Sequence, residues 1–256
     1  MSGDTTAPWT LLTFAPMIDS ELSRFVLNHY AVGYRETPHL FGWASILALF
    51  RGGTPQIPLL SGRRPSLAGP RAIADHFEAI CPVETKLIPA NGLLSTQIDA
   101  DLARFNGILA SATAVLGYYH LLPHRAIMIE PFSRGVPAIE ATVLKAIYPA
   151  FAGLFKILLQ LSAAHARDAL DQTRAIFDET DRRLADGRQY LVGDCLTLSD
   201  LALATAAAPV LLPQNYGSPM PPLALMPAEL QAIISEMRQH ETARFVERIF
   251  RDHRQG

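Results

Sequence analysis

The chain has 256 residues and a formal net charge of −2 at pH 7; 49% of its residues are hydrophobic and 18% are charged. This length and composition allow two domains with sizeable cores and exclude a disordered chain. The small net charge provides no strongly basic face, so nucleic acid is not an expected partner.

The N-terminal part alternates between strand and helix patterns. Its predicted elements are a strand at 10–14, a helix opened by Ser20, a strand at 34–37, a helical connection within 38–53, a strand at 57–60, a brief strand at 66–67 and a helix from Pro70 to about Ile80. Two strands that are each followed by a helix, then a hairpin and a last helix, predict a small α/β domain.

The rest of the chain has helical patterns. Pro82, Pro89 and Gly92 mark a linker, which places one domain at 1–84 and an all-helical domain at 93–256. The helices are predicted at 98–120, 136–166 (kinked at Pro149), 168–185, 201–210, 228–237 and 242–253.

Targeting signals and cysteine use predict a cytoplasmic protein. Met1–Pro8 lacks the basic start and the apolar run of a signal peptide. The stretch 136–166 is interrupted by charged residues, so we interpret it as a buried core helix and not a membrane span, with peripheral membrane contact as the alternative. Cys81 and Cys195 form neither a CxxC motif nor a zinc spacing, which is typical of buried structural thiols in a reducing compartment.

The tripeptide Gln56-Ile57-Pro58 enters a short apolar strand shortly before a helix start. A cis proline here would present the backbone of Ile57 as a fixed donor and acceptor, which an extended peptide can pair with like an added strand. The alternative is an ordinary trans proline at a strand edge. The context favours the cis form and a pocket for a small peptide.

A capping box, Thr197-Leu198-Ser199-Asp200, precedes an apolar helix. The segment around it, from Tyr190 to Ala202, resembles the hallmark segment of cytosolic glutathione S-transferases. The order of the whole chain is similar to that superfamily as well, with Ile57-Pro58 at the place of its cis-proline. The chain is therefore identified as an atypical member. The resemblance implies a thioredoxin-like α/β N-terminal domain plus an all-α C-terminal helical domain.

The resemblance also implies which residue activates the thiol. The stretch from Ser20 to Val26 is similar to the family's helix start and places Ser20 at the catalytic position. A helix N-terminus lowers the pKa of a nearby thiol, and a hydroxyl that donates to the sulfur favours the thiolate further. Ser23 and Asp19 are rivals within one turn, and the alternative is that Ser20 only caps the helix.

The glutathione-binding residues implied by the resemblance are Ile57, Pro58, Gly69, Pro70 and Arg71. Ile57 would pair its backbone with the cysteinyl part of glutathione. Typical members have Glu-Ser where this chain has Gly69-Pro70, and proline offers neither a hydroxyl nor an N–H. Losing such contacts weakens glutathione by several orders of magnitude, unless an arginine such as Arg71 or Arg64 compensates.

Three functions follow as hypotheses. The first is a glutathione S-transferase-like enzyme that conjugates or exchanges glutathione thiolate with an apolar electrophile in an interdomain cleft. The second is a non-catalytic binding or scaffold protein on the same fold with a degenerate glutathione site, which Gly69-Pro70 favours. The third is an enzyme acting on another thiol or acid. The resemblance also implies a homodimer.

Other patterns are weaker. His120 and His124 are separated by Pro123 and lack a third ligand nearby, so no metal site is predicted. The aromatic residues Tyr118 and Phe132 either line an apolar substrate pocket or, more commonly for such residues, belong to the core.

Overall fold

The computed structural model describes residues 8–82 and 85–254. These residues form four β-strands and eleven α-helices. Their contacts divide the chain into two compact units. The first holds Met1–Lys86, Ile129–Ala146 and Gly217–Pro219, and the second holds Leu87–Met128, Ile147–Tyr216 and Met220–Gly256. Residue 84, the predicted end of the first domain, lies outside the described residues, and so does almost all of Met1–Pro8. The domain boundary and the absence of a signal peptide therefore stay predictions.

The first unit contains the only sheet of the described residues. Its elements are β1 (Trp9–Thr13), α1 (Ile18–His29), β2 (Tyr34–Pro38), α2 (Phe41–Gly52), β3 (Leu59–Ser61), β4 (Leu67–Ala68) and α3 (Gly69–Glu78). The strand order is β2-β1-β3-β4; β1 is parallel to β2 and antiparallel to β3, and β3 is antiparallel to β4. The predicted β-α-β-α-β-β-α order is confirmed.

Leucine pairs on the two central strands form the core of this unit. Leu11 and Leu12 on β1 and Leu59 and Leu60 on β3 are fully buried, which places aliphatic side chains on both faces of the sheet. Helices α1 and α3 pack against each other, and α2 packs on β1 and β3. Helix α1 begins at Ile18 and not at Ser20, because the extended residue before the helix is Met17.

The second unit is helical. Its elements, some of which extend beyond it, are α4 (Gly92–Leu102), a π-helical segment (Ala103–Leu109), α5 (Ala110–Leu121), α6 (Arg125–Ser133), α7 (Ala138–Leu158), α8 (Ala163–Leu184), α9 (Leu198–Leu211), α10 (Ala228–Met237) and α11 (Glu241–His253). The residues from α4 through the π-helical segment to α5 are helical without a break. The hydroxyl of Thr113 on α5 donates to the carbonyl of Ala206 on α9 at 2.6 Å.

The predicted capping box is present at the start of α9. The carboxylate of Asp200 accepts hydrogen bonds from the Thr197 N–H at 2.7 Å and the Leu191 N–H at 2.8 Å. Helix α9 is buried on nearly all sides, as expected for a helix that is apolar around its whole circumference.

Helix α7 differs from the sequence prediction in two ways. It ends at Leu158, and the chain turns through Gln160 with φ of 51° before Ser162 caps α8, so the single helix predicted over 136–166 is wrong. By length and composition alone, α7 is the one helix of the described residues able to cross a membrane, yet only 22% of its most apolar window is buried. The prediction of a buried core helix is therefore wrong.

Both cysteines are free thiols. Cys195 is exposed and Cys81 is half-buried. The prediction that both are buried structural thiols is therefore wrong, although neither forms a disulfide.

Candidate functional site

Four of the predicted binding residues come together in the first unit, where β3 begins and α3 begins. The Ile57–Pro58 peptide bond is cis, as predicted from the sequence. The carbonyl of Pro58 accepts a hydrogen bond from the N–H of Gly69 at 2.8 Å. All four residues, Ile57, Pro58, Gly69 and Pro70, are buried.

The backbone of Ile57 has open hydrogen-bonding capacity. Among the described residues, no hydrogen bond partner exists for either its N–H or its C=O, although the residue is only 4% exposed. Buried backbone groups normally find partners. An N–H and a C=O left open on one residue are the pair that an extended peptide uses when it adds to a sheet edge.

The first two residues of α3 leave no donor for a ligand, because the Gly69 N–H is bonded to Pro58 and Pro70 has none. Gly69 has φ of 82°, a backbone conformation that favours glycine, and a Cβ added there would lie 2.9 Å from Nε2 of Gln56. The next residue, Pro70, lies in the first helical turn and has no N–H. Arg71 pairs with Asp75 at 2.8 Å along the exposed surface of α3. The backbone itself therefore selects glycine at position 69, where the family has glutamate.

Ser20 is in the first turn of α1 and is completely buried. Its hydroxyl donates to the carbonyl of Phe14 at 3.0 Å. The rival residue Ser23 is also completely buried, and its hydroxyl has no hydrogen bond partner among the described residues. The other rival, Asp19, is half-buried. That Ser20 stabilises a glutathione thiolate stays a prediction.

A buried charge network follows Ser20 on the same helix. The Arg24 guanidinium donates to both carboxylate oxygens of Glu36, with a shortest distance of 2.7 Å, and to Glu21 at 2.9 Å. The N–H of Gly217 donates to both oxygens of Glu21 at 3.1 Å. Burial acts to lower the pKa of Arg24, but the bond to Glu36 and the Glu21 charge raise it above its ordinary value. In the sequence, Arg24 stands out only as one residue of the stretch from Ser20 to Val26.

The segment Ile129–Ala146 belongs to the first unit and contacts residues that follow β1 and β2. Phe132, which is fully buried, stacks on Phe14 with ring centroids 5.7 Å apart. The carboxylate of Glu140 accepts from the Leu40 N–H at 2.9 Å and lies 2.6 Å from Nδ1 of His39. Phe132 is therefore a core residue. The residues just after β1 and β2 are covered by side chains of the segment Ile129–Ala146.

The histidines singled out in the sequence are not brought into a ligand set. Within the described ranges, no group of three or more His, Cys, Asp or Glu side chains is placed to hold a metal ion. His120 is buried, with Nδ1 3.8 Å from Glu229, and burial lowers its pKa despite that neighbouring carboxylate.

Comparisons with known proteins agree with this architecture. Residues 163–222 match the family model described as the glutathione S-transferase C-terminal domain. No curated protein is similar enough in sequence to count as a match.

Three solved structures illustrate the structural similarity. Glutathione S-transferase III in its apo form is 18% identical, with a TM-score of 0.59 and coverage of 95% of this chain and 92% of the other. A glutathione S-transferase of Methylobacterium radiotolerans in complex with glutathione sulfonate is 15% identical, with a TM-score of 0.57 and coverage of 96% and 91%. Glutathione S-transferase-I bound with lactoylglutathione is 16% identical, with a TM-score of 0.55 and coverage of 94% and 99%.

The described chain therefore has a glutathione S-transferase-like fold. Its fold is that of these structures, and part of its helical domain matches the family in sequence. The predicted fold class, a thioredoxin-like α/β domain plus a helical domain, is confirmed.

Proposed function

We propose that this protein binds glutathione at the Ile57 backbone and transfers its thiolate to an apolar electrophile. The observation that carries the proposal is the open N–H and C=O of Ile57 beside the buried turn into α3. An extended tripeptide needs such a pair, and side-chain identity at this position matters little for main-chain pairing. The glutathione ligands of the similar structures support the same choice of peptide.

The γ-glutamyl end of glutathione would lie at the start of α3. There Gly69 and Pro70 supply no carboxylate or hydroxyl, Pro70 has no N–H, and the N–H of Gly69 is already bonded to the Pro58 carbonyl. Binding is therefore expected to be weaker than at a site that offers a carboxylate, a hydroxyl and a free N–H. Arg71 could attract the carboxylate only by leaving its exposed ion pair with Asp75, which is a weak pair and a small cost.

Ser20 is the proposed residue that stabilises the thiolate. It is close to the positive end of α1, which favours an anion. Because its hydroxyl hydrogen is directed at the Phe14 carbonyl, it has to rotate away from that bond before it can donate to a sulfur. We therefore expect slow conjugation.

A second candidate function is binding without catalysis. Two observations favour it: the hydrogen bond from the Ser20 hydroxyl to Phe14, and the Gly69-Pro70 turn, which has no N–H left for a ligand. In this case glutathione, or a related small thiol or acid, would bind at Ile57 without being activated.

Calorimetry and a conjugation assay on the full chain separate these outcomes. We expect millimolar-range glutathione binding and slow conjugation of chlorodinitrobenzene. Binding without conjugation would select the second candidate. No heat with millimolar glutathione would overturn the first candidate, and the second as far as its ligand is glutathione. Ser20→Ala should slow conjugation and leave glutathione affinity nearly unchanged; unchanged turnover would remove Ser20 from the reaction.

A gain-of-function variant tests the location of the site. Pro70→Ser supplies a hydroxyl and an N–H at the start of α3, and we expect glutathione to bind about tenfold more tightly or better. Pro227→Ser is the matched control, because Pro227 immediately precedes α10 in the second unit. Equal affinity in both variants would mean that the glutamyl end of the ligand does not lie at α3.

A further inference from the structure

A cavity in the first unit is lined by arginines. It has a volume of about 650 Å³, and its lining contains Arg35, Arg51, Arg63 and Arg64 together with the hydroxyls of Thr10 and Ser61. The remaining lining residues are also small or hydroxylated, and none of the lining residues is acidic. Four cationic side chains around one cavity are unusual in a chain whose net charge is −2.

The strand register builds the floor of this cavity. On β1, Thr10 is paired with Arg35 of β2 on one side and with Ser61 of β3 on the other. Residues that are directly paired across a sheet point to the same face. The three side chains therefore form one row across three strands. The next residue of β2, Glu36, points to the opposite face, where Arg24 binds it.

This cavity is separate from the candidate glutathione site. Ser61 is the last residue of β3, whereas Ile57 precedes the first residue of that strand. From Leu59 to Ser61 the strand advances by about 7 Å, and Ile57 lies before that stretch. A ligand bound by the row of Thr10, Arg35 and Ser61 therefore lies at the other end of β3 from Ile57.

Three of the four cavity arginines have no ion pair within the described chain. No described carboxylate forms an ion pair with Arg35, Arg51 or Arg64, while arginines elsewhere, such as Arg24 and Arg183, are paired. All three are exposed at the cavity. The guanidinium of Arg63 lies over the ring of Trp9, 5.7 Å from the ring centroid, in a cation–π contact.

From this arrangement we infer that the cavity binds the phosphate group of a small phosphorylated molecule. Guanidinium groups match the geometry of phosphate oxygens, and hydroxyls add further donors. The volume is in the range of small-molecule sites, about 300–1,000 Å³, and exceeds the needs of a single phosphate ion. The phosphate can belong to a soluble metabolite or to the headgroup of a lipid, and the two sources are separable by experiment.

The test is calorimetry with pyrophosphate on the full chain at about 0.15 M salt, where nonspecific attraction is screened. We expect measurable binding in the wild type. The double variant Arg35→Gln with Arg64→Gln should weaken it at least tenfold. Arg167→Gln removes one positive charge from an exposed position on α8 and should bind pyrophosphate like the wild type.

A second arm identifies the source of the phosphate. The same variants are sedimented with phosphatidylcholine vesicles that do or do not contain a phosphoinositide. Arginine-dependent binding of pyrophosphate alone supports a soluble ligand, and arginine-dependent retention on phosphoinositide vesicles supports a headgroup. No binding in either arm, or equal binding by the double variant and Arg167→Gln, would overturn the inference. Unchanged thermal unfolding of the double variant shows that the fold is intact.

Discussion

Replacing Asp200 by alanine should remove a large part of the stability of the helical unit. The carboxylate is completely buried and accepts from two backbone N–H groups, those of Leu191 and Thr197, and from the Thr197 hydroxyl at 2.9 Å. Alanine leaves both amides buried without an acceptor. At about 1–3 kcal/mol for each unsatisfied donor, the expected loss is about 2–6 kcal/mol. Domains have a total free energy of unfolding of about 5–15 kcal/mol, so this loss is large.

The measurement is urea unfolding of the full chain followed by circular dichroism. Asp194→Ala is the matched control, because Asp194 is exposed and only six positions away; we expect it to change the free energy of unfolding by less than about 0.5 kcal/mol. Asp200→Asn keeps one oxygen acceptor, so its free energy of unfolding should lie between those of Asp200→Ala and Asp194→Ala. If Asp200→Ala were within about 1 kcal/mol of the wild type, the carboxylate would not be holding the Leu191 turn.

Three more predictions concern buried charges. Burial, opposed by hydrogen bonds, raises the pKa of Asp200 to about 6. Because the unfolded pKa is about 3.9, the folded state holds this proton more tightly, and the stability that this contributes is fully present below about pH 4 and lost as the pH rises through 6. Relative to Asp200→Asn, the free energy of unfolding of the wild type should fall by about 3 kcal/mol from about pH 4 to 7. Arg24→Met leaves the Glu21 carboxylate buried without its cation and should cost about 3–5 kcal/mol. Glu140→Ala leaves the Leu40 N–H without its acceptor and should cost about 1–3 kcal/mol.

The same unfolding assay, repeated at several pH values, checks these three predictions. A stability difference between wild type and Asp200→Asn that does not change with pH would contradict the raised pKa. Arg24→Lys is the control for charge alone and should recover only part of the loss, because lysine lacks the planar fork that binds two carboxylates. Full recovery of the stability by Arg24→Lys would show that a positive charge alone is enough to stabilise the two carboxylates. Glu140→Gln should recover most of the loss, because it keeps the acceptor oxygen.

Local chemistry made the fold predictable. The capping box at Thr197 needs only residues three positions apart, and a proline at the entry to an apolar strand suggested the cis bond at Pro58. The strand and helix order of the first unit followed from periodicity. These features depend on neighbours in the chain, so the sequence displays them directly. The homodimer and the cytoplasmic location stay predictions.

Contacts between distant positions were not predictable. Glu140 meets His39 across 101 positions, and Phe132 meets Phe14 across more than a hundred. An apolar helical pattern indicates that a face can be buried but not which element covers it, so α7 was wrongly expected in the core. Ser20 was identified by its place near a helix start, but periodicity does not reveal that its hydroxyl turns back to a carbonyl.

The π-helical segment has a geometric consequence for the long helix that contains it. Asp101, Phe105, Leu109 and Thr113 are all buried and follow one another at steps of four. In an ordinary α-helix each such step overshoots a full turn by about 40°, so three steps would swing the last side chain about 120° out of line. The wider winding at 103–109 absorbs this overshoot. A one-residue deletion there would tighten the winding and rotate Thr113 away from the carbonyl that it binds on α9.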